Sequence, residues 1–217
     1  MSGRVAALIA AAGTGDRLGM GPKALVTVGG KTLLDIALEA LAPLVDEVVV
    51  AVPASAVGRW PGRGGVTYVA GGATRQDSVS AMLTATTAEH VLVHDVARPF
   101  LPEEVVTRVL AAAVRHGAAT AAVGIADTVV TAEGGELDRS TLRAVQTPQA
   151  FARELLLAAH DAARSGGHEA TDDAGLVRRL GRHVELVEGS PWLIKVTRPE
   201  DLELAEALAT RLQAATR

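Results

Sequence analysis

The stretch VAALIAAAGTGDRLGMGPK, residues 5–23, decides the fold. Residues 5–10 are apolar without a break, and a short run of this kind reads as a strand buried on both faces. Ala11, Ala12, Gly13, Thr14, Gly15, Asp16, Arg17 and Leu18 follow at once. A small-residue loop after a first buried strand is where parallel α/β sheets bind nucleotides, because backbone N–H groups come close to phosphate oxygens there. The loop is not the dinucleotide fingerprint, since Leu18 occupies the third glycine slot. Gly29-Gly30-Lys31-Thr32 is not a P-loop either, since the earlier glycine of that pattern would fall on Leu25. What remains carries two cations, Arg17 and, after Pro22, Lys23, which together could neutralise a triphosphate. The plainer reading is a flexible turn with two surface charges.

Outward from this stretch, strands and helices alternate. Residues 32–44 place Leu33, Leu34, Ile36, Leu38 and Leu41 at helical spacing. Residues 48–52 and 66–69 read as strands, 77–86 as a helix, and 91–93 as a strand opening into His94-Asp95. A helix over 102–115 and a strand over 118–123 follow. Residues 127–146 break the rhythm: they are β-like but polar, with Gly134-Gly135 as a hairpin turn. Such a ribbon cannot cover a core and reads as a protruding arm. Then come helices over 153–165 and from Thr171, and a strand over 184–187. The last helix shows a capping box, with Thr197 as N-cap and Glu200 three residues on. The pattern predicts one α/β domain over residues 1–217 with a mostly parallel sheet flanked by helices.

Composition narrows the function. The chain has 217 residues, 48% of them hydrophobic, and a net charge of −4. That balance offers no general field for nucleic acid or anionic lipid, so any bound phosphate must be gripped by a local cluster. There is no cysteine, which excludes a disulfide, a thiolate nucleophile and a Cys-based zinc site in this chain. No apolar run approaches the ~20 residues of a membrane helix, and the start reads as a buried strand rather than a signal, so a cytoplasmic protein is expected. Among 21 basic residues, lysine occurs only at Lys23, Lys31 and Lys195. A lysine here is therefore less apt to be filler, and its compact charge suits phosphate.

Further along, HDVARP (94–99) ends a strand and brings Asp95 and Arg98 to the mouth of the sheet. Asp95 could position hydroxyls or a metal-bound water, and Arg98 could take phosphate; a strand-end ion pair is the plainer reading. His94 reads better as a hydrogen-bonded structural histidine. GGATRQDS (71–78) is a second Gly-rich loop before a helix, able to hold a base edge through its backbone and Ser78, or simply a cap built on Thr74 or Asp77. Asp127-Thr128, Arg139 and Thr147-Pro148-Gln149 surround the arm, and Lys195 precedes the last helix. No hydrolase elbow, zinc-helix motif or paired carboxylates stand out.

Taken in order, AAGTGDRLGMGPK (11–23), GGATRQDSV (71–79), VLVHDVARPF (91–100), DT (127–128), QTPQAF (146–151), TDDA (171–174) and IKVTRPEDLELAE (194–206) resemble the 2-C-methyl-D-erythritol 4-phosphate cytidylyltransferases of the non-mevalonate isoprenoid pathway. The resemblance spans almost the whole chain. It implies a Rossmann-like nucleotidyltransferase fold and a homodimer whose arms, here 127–146, clasp the partner. It also implies that Arg17 and Lys23 stabilise charge at the α-phosphate of CTP. Ala11, Ala12, Gly13, Gly15, Gly72, Ala73, Ser78 and Val96 would line the nucleotide site. Asp95, Arg98, Thr128, Arg139, Thr147 and Lys195 would hold methylerythritol phosphate, some of them across the dimer interface. Mg²⁺ would be held mainly by the CTP phosphates, with no protein residue assigned to it. The sequence departs from the family pattern at Ala10, where many members have proline, at Ala24, where glutamine is usual, and at Ala73, where some carry an acidic residue. The last departure leaves base selectivity to backbone contacts.

The chemistry fits the residue inventory. A phosphate monoester is largely dianionic near neutral pH and needs no general base to attack. The barrier is charge repulsion and alignment, which cations and Mg²⁺ lower by electrostatics and positioning. The closest rival is ribitol-5-phosphate cytidylyltransferase, against which the short length and HDVARPF argue. A rival of another class is a non-catalytic nucleotide-binding regulatory module, against which the presence of both Arg17 and Lys23 argues.

Overall fold

The computed structural model describes residues 3–58 and 64–215. Its strands are β1 (Val5–Ala10), β2 (Thr27–Val28), β3 (Lys31–Thr32), β4 (Glu47–Val52), β5 (Val66–Ala70) and β6 (His90–Asp95). They continue with β7 (Ala118–Val123), β8 (Val129–Val130), β9 (Glu136–Leu137), β10 (Ala144–Ala152) and β11 (Glu185–Glu188). The helices are α1 (Leu33–Leu41), α2 (Arg75–Thr84), α3 (Glu103–His116), α4 (Arg153–Ser165), α5 (Asp173–Arg179) and α6 (Pro199–Ala215). Among the described residues seven strands form one sheet, in the order β11-β7-β10-β6-β1-β4-β5. All neighbours run parallel except β10, which is antiparallel to both β6 and β7.

The sheet lies between two helical layers. Val5, Ala7 and Ile9 of β1 pack with Leu33 of α1, Val109 of α3 and Ala205 of α6. Ala6 and Leu8 point the other way, toward Val79 of α2, Leu156 of α4 and Val177 of α5. A strand covered on both faces has no polar side to show, which is why residues 5–10 read as one apolar run. At α1 the Thr32 hydroxyl accepts the Asp35 N–H, and the helix tightens into a 3₁₀ turn at Ala42–Leu44.

Helix starts differ from the sequence reading at α2, α5 and α6; α5 begins at Asp173, behind Asp172 as N-cap, rather than at Thr171. Helix α2 begins at Arg75, because Thr74 is the N-cap and Asp77 its reciprocal partner inside the first turn. At α6 the cap is carried by Asp201, whose carboxylate accepts from the N–H of Thr197 and of Arg198 and from the Thr197 hydroxyl. Pro199 opens the helix, so Asp201 rather than Glu200 occupies the position that reaches back to the cap.

The larger correction concerns the arm. It was expected to run through Gln146, yet Ala144–Ala152 forms β10, inserted in the middle of the main sheet. Ala150 and Phe151 join the core, whereas the first part of the strand looks like surface in the sequence because its buried side chains Gln146, Thr147 and Gln149 are polar. Their groups are satisfied inside the fold. Gln149 donates to the Thr120 hydroxyl and the Asp172 carboxylate and accepts from the Ala174 N–H. Gln146 exchanges two hydrogen bonds with the backbone of Ser190. Pro148, which has no N–H for a ladder, falls where the register with β7 shifts. The ribbon itself is the β8–β9 pair, whose turn uses Gly134 in a left-handed conformation. Among the described residues, no helix is long and apolar enough to cross a membrane.

Candidate active site

From β1 the chain moves to β4 on one side and returns only later to β6 on the other, so a topological switch point lies between β1 and β6. Ligand crevices of parallel sheets open there, beyond the carboxyl ends of the strands. Ala10 and Asp95 are register partners at that end, and the Val96 N–H donates to the Ala10 carbonyl. A cleft of about 460 Å³ opens above them.

Both Gly-rich loops form its walls. Ala12, Gly13 and Gly15 line one side, with Lys23. Gly15 sits at φ 75°, where side chains are strained, and a Cβ on it would collide with the Gly21 carbonyl; glycine is what lets this loop close. Gly72, Ala73 and Ser78 line the other side. The Ser78 hydroxyl accepts from the Gly72 N–H and donates to the Thr74 carbonyl, which holds residues 72–74 in one conformation. Asp95, Val96 and Lys195 complete the floor and rim. Lys23 reaches across to the Val196 carbonyl at 3.3 Å, so the first loop meets the segment before α6.

Other expected site residues lie elsewhere. Ala11 is fully buried and its N–H pairs with Ala51, one step behind the cleft wall. Arg98 does not line the cleft. Its guanidinium donates to the Leu193 carbonyl, while Val196 N–H donates to Ala97, and together these bonds pin the segment that carries Lys195. Thr147 is buried behind Asp95, not in the cleft. Thr128 and Arg139 are on the exposed ribbon, where Arg139 donates to the Ala126 carbonyl. Arg17 lies in a 3₁₀ turn at Asp16–Leu18, and its side chain falls outside the described residues.

His94 explains the position of Thr147. The Thr147 hydroxyl accepts the Asp95 N–H at 3.1 Å and lies 3.2 Å from His94 Nδ1, and His94 Nε2 lies 3.1 Å from the Arg98 carbonyl. A neutral ring with its proton on Nε2 satisfies every group: it donates to Arg98, and Thr147 donates to Nδ1. Burial pushes the His94 pKa down to about 4, which keeps that ring neutral.

The residue that sequence reading passed over is Arg75. It lines the cleft, its Nε donates to Asp95 Oδ1 at 2.9 Å, and its Nη1 donates to Asp173 Oδ2 at 2.7 Å. Lys195 Nζ donates to the other Asp95 oxygen at 2.7 Å. Burial opposes ionisation of Asp95, but Arg75 and Lys195 outweigh it and hold the carboxyl well below the usual carboxylate range. Burial likewise works against the Arg75 charge, and Asp173 and Asp95 more than offset it. No local signal marked Arg75: the sequence pattern starts this helix at residue 77, and the carboxylate that clamps the guanidinium, Asp173, lies far along the chain. Asp16, hydrogen-bonded to the Thr14 hydroxyl, adds a second carboxylate at the cleft.

Two glycine-rich loops and two lysines at the switch point of a mostly parallel sheet suit a nucleotidyltransferase. Residues 5–211 match the family model described as 2-C-methyl-D-erythritol 4-phosphate cytidylyltransferase, and the chain belongs to that family. It is 55% identical over 211 residues to the Deinococcus radiodurans protein of that name, covering 95% of this chain and 90% of the relative. It is 50% identical over 210 residues to the one from Thermus thermophilus, covering 94% and 97%. A crystal structure of 2-C-methyl-D-erythritol 4-phosphate cytidylyltransferase from Thermus thermophilus superposes with a TM-score of 0.86 at 48% identity, over 95% of this chain and 99% of that one.

The buried neutral histidine makes stability depend on pH. Between about 6.5 and about 4 the unfolded chain takes a proton at His94 that the folded protein refuses. Stability should therefore fall as pH falls through that window, by up to about 1.4 kcal/mol per pH unit from this residue. In urea denaturation, His94→Gln should flatten that part of the curve. An unchanged slope would locate the acid sensitivity elsewhere.

Proposed function

We propose that this cleft transfers a CMP unit from CTP to 2-C-methyl-D-erythritol 4-phosphate and releases pyrophosphate. The carrying observation is that Lys23 and Lys195, two of the chain's three lysines, both line the cleft at the β1–β6 switch point. Backbone N–H groups of the 11–15 loop and the Lys23 ammonium suit the triphosphate. The loop 72–74, steadied by Ser78, suits the base edge; with Ala73 in place of a charged residue, recognition of cytosine falls to backbone groups. Lys195 takes the acceptor phosphate and Asp95 its hydroxyls.

The step is an in-line displacement. A phosphate oxygen of the acceptor forms a bond to the α-phosphorus, the bond from that phosphorus to the bridging oxygen breaks, and pyrophosphate leaves with the electron pair. No proton needs to be removed from the nucleophile, so the residues orient and neutralise. Lys23 and Arg17 stabilise charge building on the α-phosphate oxygens. Among the described residues no cluster of three or more metal-ligating side chains exists, and both Asp95 oxygens are engaged by cations. That donor set fits a Mg²⁺ carried by the triphosphate itself, where it would neutralise the leaving pyrophosphate.

The exposed ribbon carrying Thr128 and Arg139 suits a homodimer in which each arm brings these residues to the partner's acceptor site. The chain acts in the cytoplasm on this reading.

Three measurements test it. In a pyrophosphate-release assay, CTP with methylerythritol phosphate should turn over far faster than CTP with ribitol 5-phosphate; equal or reversed rates would reassign the acceptor, and no release from any pair would leave a binding module. Lys23→Ala should lower kcat by roughly 10²–10³, whereas an unchanged kcat with a raised KM would make Lys23 a ground-state binder. Light scattering at micromolar concentration should give a dimer, and a monomer there would remove the arm from the acceptor site.

A further inference from the structure

Asp95 holds one cation on each carboxylate oxygen, and the two cations differ in freedom. Lys195 stands at the rim with 42% of its side chain exposed, whereas Asp95 is 10% exposed. Arg75 is clamped from behind by Asp173, whose side chain is 1% exposed and accepts from Arg75 Nη1 at 2.7 Å. Asp173 is held in turn by His160 Nε2 at 3.0 Å. Lys195, with one carboxylate partner and the larger exposure, is therefore the freer of the two.

A dianionic phosphate entering the cleft competes with Asp95 for Lys195. Once Lys195 turns to it, Asp95 must remain ionised with a single partner, and desolvation strongly disfavours a buried carboxylate left without one. Arg75 supplies the standing counter-charge that keeps Asp95 paired. Without it, Asp95 would retain Lys195 and the phosphate would bind against that pull. The rigid fork of Arg75 reaches two carboxylates at once, Asp95 and Asp173.

We propose that Arg75 is a positioning residue for the transfer reaction: by holding Asp95 from the α2 side, it releases Lys195 to the acceptor phosphate. The proposal rests on Lys195 being the acceptor-phosphate ligand. It assigns to Asp173, outside the cleft, the task of fixing Arg75.

Steady-state pyrophosphate release with each substrate varied in turn tests this. Arg75→Gln should raise the KM for methylerythritol phosphate roughly 10–100-fold and leave the KM for CTP within about twofold. Asp173→Asn, which alters no residue of the cleft, should produce the same selective rise to a smaller degree. Arg75→Lys keeps the charge but cannot bridge both carboxylates, so it should fall between wild type and Arg75→Gln; should Arg75→Gln fail to fold, this variant and Asp173→Asn carry the test. The decisive readout is a double-mutant cycle, because in a Lys195→Ala background there is no lysine left to free. There Arg75→Gln should add nothing to the acceptor KM. Additive effects, equal losses for both substrates, or a lowered Tm with both KM values intact would make Arg75 a structural residue and overturn the proposal. If Lys195→Ala alone leaves acceptor kinetics normal, the placement of the acceptor phosphate fails, and the proposal falls with it. If Lys195→Ala impairs the acceptor and Arg75→Gln does not, the proposal alone fails.

Discussion

The carboxylate of Asp95 ends a central strand almost out of reach of water, and an ionised carboxylate in such a place persists only where cations and donors surround it. Distant parts of the chain meet that requirement together. Thr147 of β10 takes the Asp95 backbone N–H, Arg75 of α2 takes one side-chain oxygen, and Lys195 from before α6 takes the other. The Lys195 segment is itself fastened by Arg98 to Leu193 and by Val196 to Ala97. The site is thus an anion whose partners are brought in by the sheet, a helix start and a loop, and each of these is anchored where the core is complete.

The antiparallel strand β10 makes this possible. Strands β6 and β7 are joined by helix α3 and lie one strand apart; after the ribbon the chain returns between them, antiparallel to both, as β10. The return carries Thr147, Gln146 and Gln149 into the interior, and each finds internal partners, so a polar strand is held at little cost. One excursion of the chain thereby yields both the exposed β8–β9 pair and the buried support behind Asp95. The cation-rich cleft also sits in a protein of net charge −4, which confines attraction for phosphate to the place where it is used.

Much of this was legible in the sequence, for identifiable reasons. Strands β1, β4, β6 and β7 and helix α1 are apolar enough that period and length suffice to find them, and the two Gly-rich loops were placed by their neighbours, one after the first strand and one before a helix. Scarcity of lysine pointed to Lys23 and Lys195, which both reach the cleft. What sequence reading missed was governed by pairing. Thr147 and Gln149 look like surface residues because their burial depends on partners more than twenty residues away, such as Asp172 and Asp95. Arg98 appears next to the site in sequence yet turns its guanidinium away, since the Leu193 carbonyl lies behind it. Arg75 stood inside a quoted loop without being singled out, because its meaning lies in Asp173, far along the chain.

By itself the sequence determined the α/β class, the first buried strand and the two loops, because apolar runs and glycine-rich segments are local and need no partner to be read. The ordered set of motifs gave the family by resemblance. Only the tertiary structure decided that β10 runs through the middle of the sheet, that Thr147 and Arg98 support the cleft from behind, and that Arg75 and Lys195 share one carboxylate. The reason is that the energy of a buried charge depends on what surrounds it in space, and residues 75, 95, 173 and 195 become neighbours only after the layers have closed.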